Sequence, residues 1–543
     1  MSMKRSIRHY LLAGAALAFA ALPVGAAVRV LEDVTGDGVV DIDDVNAVIN
    51  VIVHKQRQPD VAIWADVDAS GTVDVDDLNA VLSAMLTHCW HEERTGCDYV
   101  WHYDALPEVH LDVPLDEWNR LLTLYDADRL TKEYVHANVR FVTGDGETHV
   151  PDAGLRLRGN GSRRRPEGNT GQVHTAGATV WHPTGFGLNL RKFHKDSTHT
   201  LRGVRKVHLR YFYHDPTCVR ELFCYRLLEQ FGVWTAPRDT YCRLWVHVQG
   251  DDREAYYGVY TLLEPIDERY LADRADRFGD TGGYLWKCGQ GVASLTGLEA
   301  ATFGTDTDEA AYVLKTRTGE LKSARTQLQA FSDSLTMLND EAFARWLATV
   351  CDVTLLVRTY ATVVAVGNWD DYWNNSNNYY LYFNSTDPEH YRVFFIPYDL
   401  DNTLGSSRKV HAIADSGRHD PLHWGRDERN PLIARVLRIE AYRQLYVQCL
   451  RELVDERQGL MDYQSAVSRI QAWHALIAAH VPSDVDRDNV LADQPSKLGN
   501  QPRYRLLDDD PQWNFFKVRT AVIDSACVAT PHNTDAPSRL FGE

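Results

Sequence analysis

Gly367–Ser406 reads GNWDDYWNNSNNYYLYFNSTDPEHYRVFFIPYDLDNTLGS, and the rest of the chain is best understood outward from it. Two runs inside it, Tyr379–Phe383 and Arg392–Pro397, are aromatic and β-branched and are separated by Asn, Ser, Asp and Pro. That pattern predicts a β-hairpin with a long loop. Antiparallel pairing sets the start of the first strand beside the end of the second. Asn378 is therefore expected close to Asp399 and Asp401, with Asp370 and Asp371 just upstream. Mg²⁺ takes oxygen ligands, typically one or two carboxylates together with bound phosphates. Asn378, Asp399 and Asp401 are thus candidate divalent-metal ligands.

The same residues carry a family likeness. GNWDD…NNYYLY followed by FFIPYDLDNTLG resembles the spore-coat protein H-type (CotH) kinases, an atypical branch of the protein-kinase-like fold. Further pieces occur in the family's order: GLRLRGNGSR (Gly154–Arg163), HDPTCVRE (His214–Glu221), YYGVYTLLEPIDERYL (Tyr256–Leu271), GGYLWK (Gly282–Lys287) and NPLIARVL (Asn430–Leu437). The ordered set spans residues 105–455. The resemblance implies an α+β, two-lobed fold, ATP with Mg²⁺ or Mn²⁺ as cofactors, and a Ser or Thr hydroxyl of a protein as phosphoacceptor. Phosphoryl transfer asks a protein chiefly for positioning and charge neutralisation. On that basis Asp370 is the candidate general base, with Asp371 as its rival, while Asp399 and Asp401 hold the metal. The base-to-Asn spacing of ordinary kinases selects Asn375; the resemblance and the hairpin geometry select Asn378.

Composition sets the outer bounds. The chain has 543 residues, 44% of them apolar, and a net charge of −18. So acidic a surface with no basic run argues against a nucleic-acid partner. Residues 1–26 read as a signal peptide: Lys4, Arg5 and Arg8 precede an apolar run, Tyr10 to Leu22, and small residues end at Ala26. The run falls short of the roughly 20 residues that a membrane span needs, and no later stretch is apolar enough, so an exported protein without a transmembrane segment is expected. Of nine cysteines, Cys89 and Cys97 are the pair that sequence proximity favours for a disulfide; the others lack metal-site spacing and read as buried small hydrophobes.

Residues 27–90 contain a repeat. Asp33–Asp44 (DVTGDGVVDIDD) returns 33 residues later as Asp66–Asp77 (DVDASGTVDVDD), each followed by a matching helical run. Both copies follow EF-hand spacing, with glycine at position 6 for the sharp turn. The expected calcium ligands are Asp33, Thr35, Asp37, the Val39 carbonyl, Asp41 and Asp44 in one loop. In the other they are Asp66, Asp68, Ser70, the Thr72 carbonyl, Asp74 and Asp77. Position 12 is Asp where the usual loop has Glu. The duplicated loop-helix resembles a dockerin, which implies a calcium-folded α module and a possible cohesin-like partner.

Residues 91–300 are predicted as the β-rich N-lobe, with one helix starting at an Asp215 N-cap and stopping at Gly232, packed on its sheet; residues 301–543 are predicted as the helical C-lobe. Arg158–Arg163 (RGNGSR) links two strands, and its glycines suit a flexible loop that cradles phosphate. The residues alone suit an ordinary hairpin turn better; the resemblance implies instead that Arg158, Asn160 and Ser162 contact a nucleotide, with Glu264, at the end of VYTLLE, at the hinge near adenine. Members of the family typically carry lysine in the strand after RGN, where this chain has Gly185–Leu190 (GFGLNL). Arg158 or Lys206 is expected to supply that cation instead. Two other readings compete with the exported kinase: an inactive scaffold of the same fold, and a glycoside hydrolase, which needs a carboxyl pair and no metal.

Overall fold

The computed structural model describes residues 105–528 except 145, 178–179, 196–198, 306–308, 407–412 and 497–503, together with 99–101 and parts of 32–87. The chain divides into two compact units, residues 1–95 and 96–543. The signal peptide at 1–26, Cys89, Cys97 and the loop positions Asp33, Asp37, Val39, Asp41, Asp66, Asp68, Ser70, Thr72 and Asp74 lie outside the described residues.

In the first unit, helices Ile42–His54 and Val75–Thr87 pack together. Their small core includes Val34, Val45, Val48, Val67 and Val81. The last acid of each repeat is buried and turned back into its own loop: Asp44 Oδ1 accepts from the Thr35 backbone N–H at 2.8 Å, and Asp77 Oδ1 from that of Val67 at 2.7 Å.

The second unit opens with seven strands: β1 (Glu108–Val113), β2 (Val135–Thr143), β3 (Gly146–Arg158), β4 (Gly185–Asn189), β5 (Lys206–Arg210), β6 (Asp239–Val248) and β7 (Ala255–Leu263). They form a closed barrel in the order β1-β2-β3-β4-β5-β7-β6, sealed by the parallel pairing of β6 with β1. Alternation builds it. Val135, Ala137, Val139 and Phe141 of β2 point inward with Leu155 and Leu157 of β3, Phe186 and Leu188 of β4, and Val207 and Leu209 of β5. The intervening residues of β3, β4 and β5 face the other way, and Arg156, Arg158, Gly185 and Arg210 among them reach the site. The N-lobe expected from the sequence is thus a closed barrel.

The predicted helix begins later than expected. It spans Arg220–Gln230, because His214 and Cys218 take left-handed φ values of 54° and 57° that a helix cannot include. Asp215 instead closes the turn before it, accepting from the backbone N–H groups of Thr217 and Arg220. Gly232, at φ 78°, ends it as expected. The helix touches β6, but its buried side chains belong to the large core shared with the C-terminal helices, where Phe223 meets Trp473 and Phe516.

The hairpin forms in the expected register, β11 (Tyr379–Phe383) with β12 (Val393–Pro397), Tyr379 opposite Pro397 and Phe383 opposite Val393. It is not alone. β8 (Tyr284–Cys288) pairs with β11, and β9 (Phe303–Gly304) and β10 (Tyr312–Leu314) extend the sheet to the order β12-β11-β8-β10-β9. A lobe boundary at residue 300 therefore cuts through a sheet. Every residue of β11 and β12 is buried. Helices Leu321–Met337, Asp340–Val350 and Val353–Ala365 lead into the stretch before the hairpin, and Pro431–Arg438, Glu440–Val454, Tyr463–Ile477 and Phe515–Val528 follow it. The seven described cysteines are free and buried, as the sequence reading expected. No described helix is long and apolar enough to cross a membrane.

Candidate active site

A cavity of about 560 Å³ lies between the outer face of the barrel and the mouth of the hairpin. Among the segments that reach it are the end of β3 with the loop after it, the end of β5, the first turn of helix Arg220–Gln230, the residues at and after the end of β8, and the two polar segments flanking the hairpin.

Asp370 lines this cavity and is held by a ring of asparagine amides. Its Oδ1 accepts from Asn375 Nδ2 at 2.6 Å and Asn377 Nδ2 at 3.1 Å; its Oδ2 accepts from Asn378 and Asn402, each at 3.2 Å. This explains the asparagine-rich run before β11. Burial raises Asp370 above the usual carboxylate range and the charge of Asp399 adds to the rise, against the lowering pull of the asparagine amides. Asp371, the rival base, does not line the cavity. Its side chain caps the short helix Tyr372–Asn375, accepting from the Asn374 backbone N–H at 2.9 Å, and burial pushes it up to about 7. Asn375, selected by spacing, and Asn378, selected by the resemblance and the hairpin geometry, therefore reach the same carboxylate. Asn378 is tied to Asp370 rather than to Asp399, so its Oδ1 is the atom that would have to serve a metal.

Asp399 and Asp401 follow β12 and line the cavity. Arg210, the last residue of β5, joins them to the barrel. Its guanidinium donates to Asp399 Oδ1, lies 2.6 Å from Glu221 Oε1 and stands 3.8 Å from Asp401 Oδ2. Burial works against the charge on Asp399, yet Arg210 holds that carboxyl below its usual range. Burial drives Asp401 well above the usual range, and the neighbouring charge of Asp399 drives it further. Burial likewise lifts Glu221 to about 7, with Asp399 again adding to the rise. Three acids thus crowd one guanidinium, and the raised pKa of Asp401 and of Glu221 reflects that crowding, which a divalent cation beside them would relieve. Among the described residues no three His, Cys, Asp or Glu side chains form a closed metal cage. Two carboxylates with room for phosphate oxygens and water suit Mg²⁺ better than such a cage.

The loop after β3 is braced where the sequence suggested flexibility. Arg163 donates to the carbonyls of Gly159, Arg129 and Thr131 at 2.9–3.0 Å, and Tyr211 donates to that of Ser162. Gly159 has φ 108°, and a Cβ there would lie 2.5 Å from Ser162 Oγ, so the tight turn requires glycine. Asn160, Ser162 and Arg158 line the cavity.

Two expected contacts are corrected. Lys206 is not among the cavity-lining residues and its ammonium sits 2.5 Å from Asp267. Glu264 is also absent from the lining: it is buried, and its carboxylate is taken by Arg238 at 2.8 Å and Arg274 at 2.7 Å. Although burial opposes its charge, the two guanidiniums hold its pKa at about 2. That pair stabilises the fold above the unfolded-state pKa of ~4.5, and the contribution disappears as pH falls from there toward 2. Glu264→Gln should therefore cost about 3 kcal/mol at pH 7. The gap between the urea midpoints of wild type and variant should shrink by about half from pH 7 to pH 3 and close toward pH 2; an equal gap at pH 7 and pH 3 would contradict this assignment. The sequence reading missed Arg210 and Glu221, although VRKVHLR and HDPTCVRE contained them, because nothing in a single strand or helix announces its ion-pair partner.

A sequence model described as CotH kinase protein matches residues 155–506, more than half of the chain. The chain belongs to the CotH kinase protein family. The matched region of this CotH-family chain starts in β3 and takes in every cavity-lining residue discussed above. The inner spore coat protein H of Bacillus subtilis (strain 168) is 26% identical to it over 312 residues, covering 56% of this chain and 78% of that protein. Membership places the chain among atypical kinase-like proteins and implies ATP and a divalent metal as ligands. The barrel strands β1 and β2 and the C-terminal helix Phe515–Val528 lie outside the match.

Proposed function

We propose that this CotH-family chain is an exported, Mg²⁺- or Mn²⁺-dependent protein kinase that transfers the γ-phosphoryl group of ATP to Ser or Thr hydroxyls of exported or surface proteins. The reading is carried by the meeting in one cavity of an asparagine-held carboxylate, Asp370, with a second carboxylate pair braced by Arg210 and Glu221. Kinases pair a strand cation with a helix glutamate behind the metal-binding acid, and Arg210 and Glu221 have that placement. Asp370 takes the proton from the acceptor hydroxyl, and Asn375, Asn377 and Asn402 fix the orientation of its carboxylate. Asp399, Asp401 and the Oδ1 of Asn378 are the groups that would hold the metal, which when bound supplies positive charge to the transferring phosphoryl oxygens. Arg210, with five N–H donors, serves Glu221 and Asp399 together where lysine offers a point charge. Incubation with γ-³²P-labelled ATP and candidate exported proteins should label Ser or Thr; no transfer with either metal would reject the reading. The inactive-scaffold alternative draws on the absence of a cation in β4, where Gly185 and Gly187 stand.

The first unit, residues 27–90 in our reading, is proposed as a dockerin-like calcium module with a possible cohesin-like partner. The inward turn of Asp44 and Asp77, the final ligands of the two repeats, supports it. Calcium titrated into chelator-treated full-length protein should release heat for two sites, and Asp44→Asn and Asp77→Asn should each remove one. A flat titration of the wild type would reject the module. The spore-coat relative and the reading of residues 1–26 support a location outside the cytoplasmic membrane.

A further inference from the structure

The barrel wall of the cavity carries two arginines that form no ion pair with an acid among the described residues. Arg156 and Arg158 stand two residues apart on β3, hence on one face. Opposite them are glycines: Arg158 pairs with Gly185 and Arg156 with Gly187, and Gly187 pairs in turn with His208 on β5. A Cβ at Gly187 would lie 3.6 Å from Arg156 Cγ and 3.7 Å from Arg158 Cδ, and one at Gly185 would lie 3.0 Å from the Arg158 carbonyl oxygen. The two arginine side chains thus lie across the part of β4 that bears no side chain.

Neither guanidinium has a carboxylate partner among the described residues. Arg158 donates to the Tyr398 hydroxyl, and the Arg156 guanidinium lies 5.4 Å from the centre of the Tyr134 ring. Both Nε atoms are buried without a hydrogen-bond partner, as is Nδ1 of His208. A buried donor left unmade costs about 1–3 kcal/mol, and two cations side by side repel. The other cavity arginines differ: Arg210 has Glu221 and Asp399, Arg220 has Asp215, and Arg163 is bound to carbonyls. Burial, reinforced by Arg158, Arg156, Arg210 and Lys206, pushes His208 well below its usual pKa, so it is a neutral neighbour and adds no charge.

An anion with several oxygens in the cavity, able to take N–H groups from two arginines at once, suits this pair of guanidiniums. We propose that Arg156 and Arg158, laid across the glycines of β4, are the seat of a phosphate chain, and that this seat recognises the chain itself, so that inorganic tripolyphosphate binds there without a nucleoside. The proposal rests on the nucleotide reading above, and it supplies the cation that β4 lacks from the neighbouring strand.

The test is calorimetry on the full-length protein with two probes, sodium tripolyphosphate and Mg-ATP. Tripolyphosphate should bind and displace Mg-ATP from the unsubstituted protein. Arg156→Gln and Arg158→Gln should each weaken both ligands about ten- to hundredfold, and Lys206→Gln should leave them within about twofold, since its ammonium is engaged by Asp267 outside the cavity. If the wild type binds Mg-ATP but not tripolyphosphate, or if both arginine variants bind Mg-ATP like the wild type, the seat is overturned while the nucleotide reading stands. Tripolyphosphate binding that needs these arginines, in a protein that takes no Mg-ATP, keeps the seat and removes the nucleotide reading. Binding of neither probe removes both. The competition on unsubstituted protein decides the matter even where a variant fails to fold.

Discussion

Asp399→Asn should abolish divalent-dependent phosphoryl transfer, with a loss of at least about a thousandfold, and leave the fold in place. The substitution keeps shape and removes one charge. It also releases Arg210, which in the wild type is drawn toward Asp399 and Glu221 together. Glu221, lifted to about 7 partly by the charge of Asp399, then becomes the sole strong partner of that guanidinium and should titrate lower. Thermal melting within a few degrees of the wild type, together with loss of metal-dependent turnover, is the expected pair of results. Turnover that survives the substitution would remove Asp399 from the metal site.

Asp370→Asn should lower kcat by about a hundred- to ten-thousandfold, the usual range for loss of a general base, and leave binding of metal and nucleotide largely intact. A base acts after binding, so the two variants should separate: Asp399→Asn in affinity and rate, Asp370→Asn in rate. The pH profile gives an independent check. Burial, with the charge of Asp399 adding to it, holds Asp370 above the ordinary carboxylate range, and the base works only when deprotonated. The wild-type kcat should therefore fall as pH drops through a point above the ordinary aspartate range, and that limb should vanish from whatever activity Asp370→Asn retains. Equal loss of nucleotide affinity in both variants would reject this division of roles.

The parts of the fold that were legible in the sequence are those set by local alternation. Tyr379–Phe383 and Val393–Pro397 announced their pairing because both runs are apolar and the loop between them is polar, and their register followed from the loop. Closure of the barrel was not legible. It depends on the parallel pairing of Glu108–Val113 with Arg243–Val248, strands far apart in the chain, and no strand sequence encodes its distant neighbour. The same limit explains the errors at the site. Lys206 and Glu264 were singled out as charged residues at strand ends, but their partners, Asp267 in one case and Arg238 and Arg274 in the other, come from turns and helices whose placement only the fold determines. Conversely, Glu221 sat in HDPTCVRE and Arg210 in the strand before it without a stated role until β5 and helix Arg220–Gln230 were brought side by side. The asparagines show the limit in another way. Kinase spacing pointed to Asn375 and the hairpin and the resemblance to Asn378 as alternatives, whereas the short helix capped by Asp371 turns the run so that both amides meet the carboxylate of Asp370.

The central claim is that the cavity between barrel and hairpin is a metal-nucleotide site, and calorimetric titration of ATP into the full-length protein, with Mg²⁺ and again with chelator, tests it most directly. The account predicts saturable binding with Mg²⁺ that weakens at least about tenfold without it, because the carboxyl groups of Asp399 and Asp401 then meet the phosphates with no cation between them. No heat of binding under either condition would contradict the account and leave the chain as a non-catalytic member of its family.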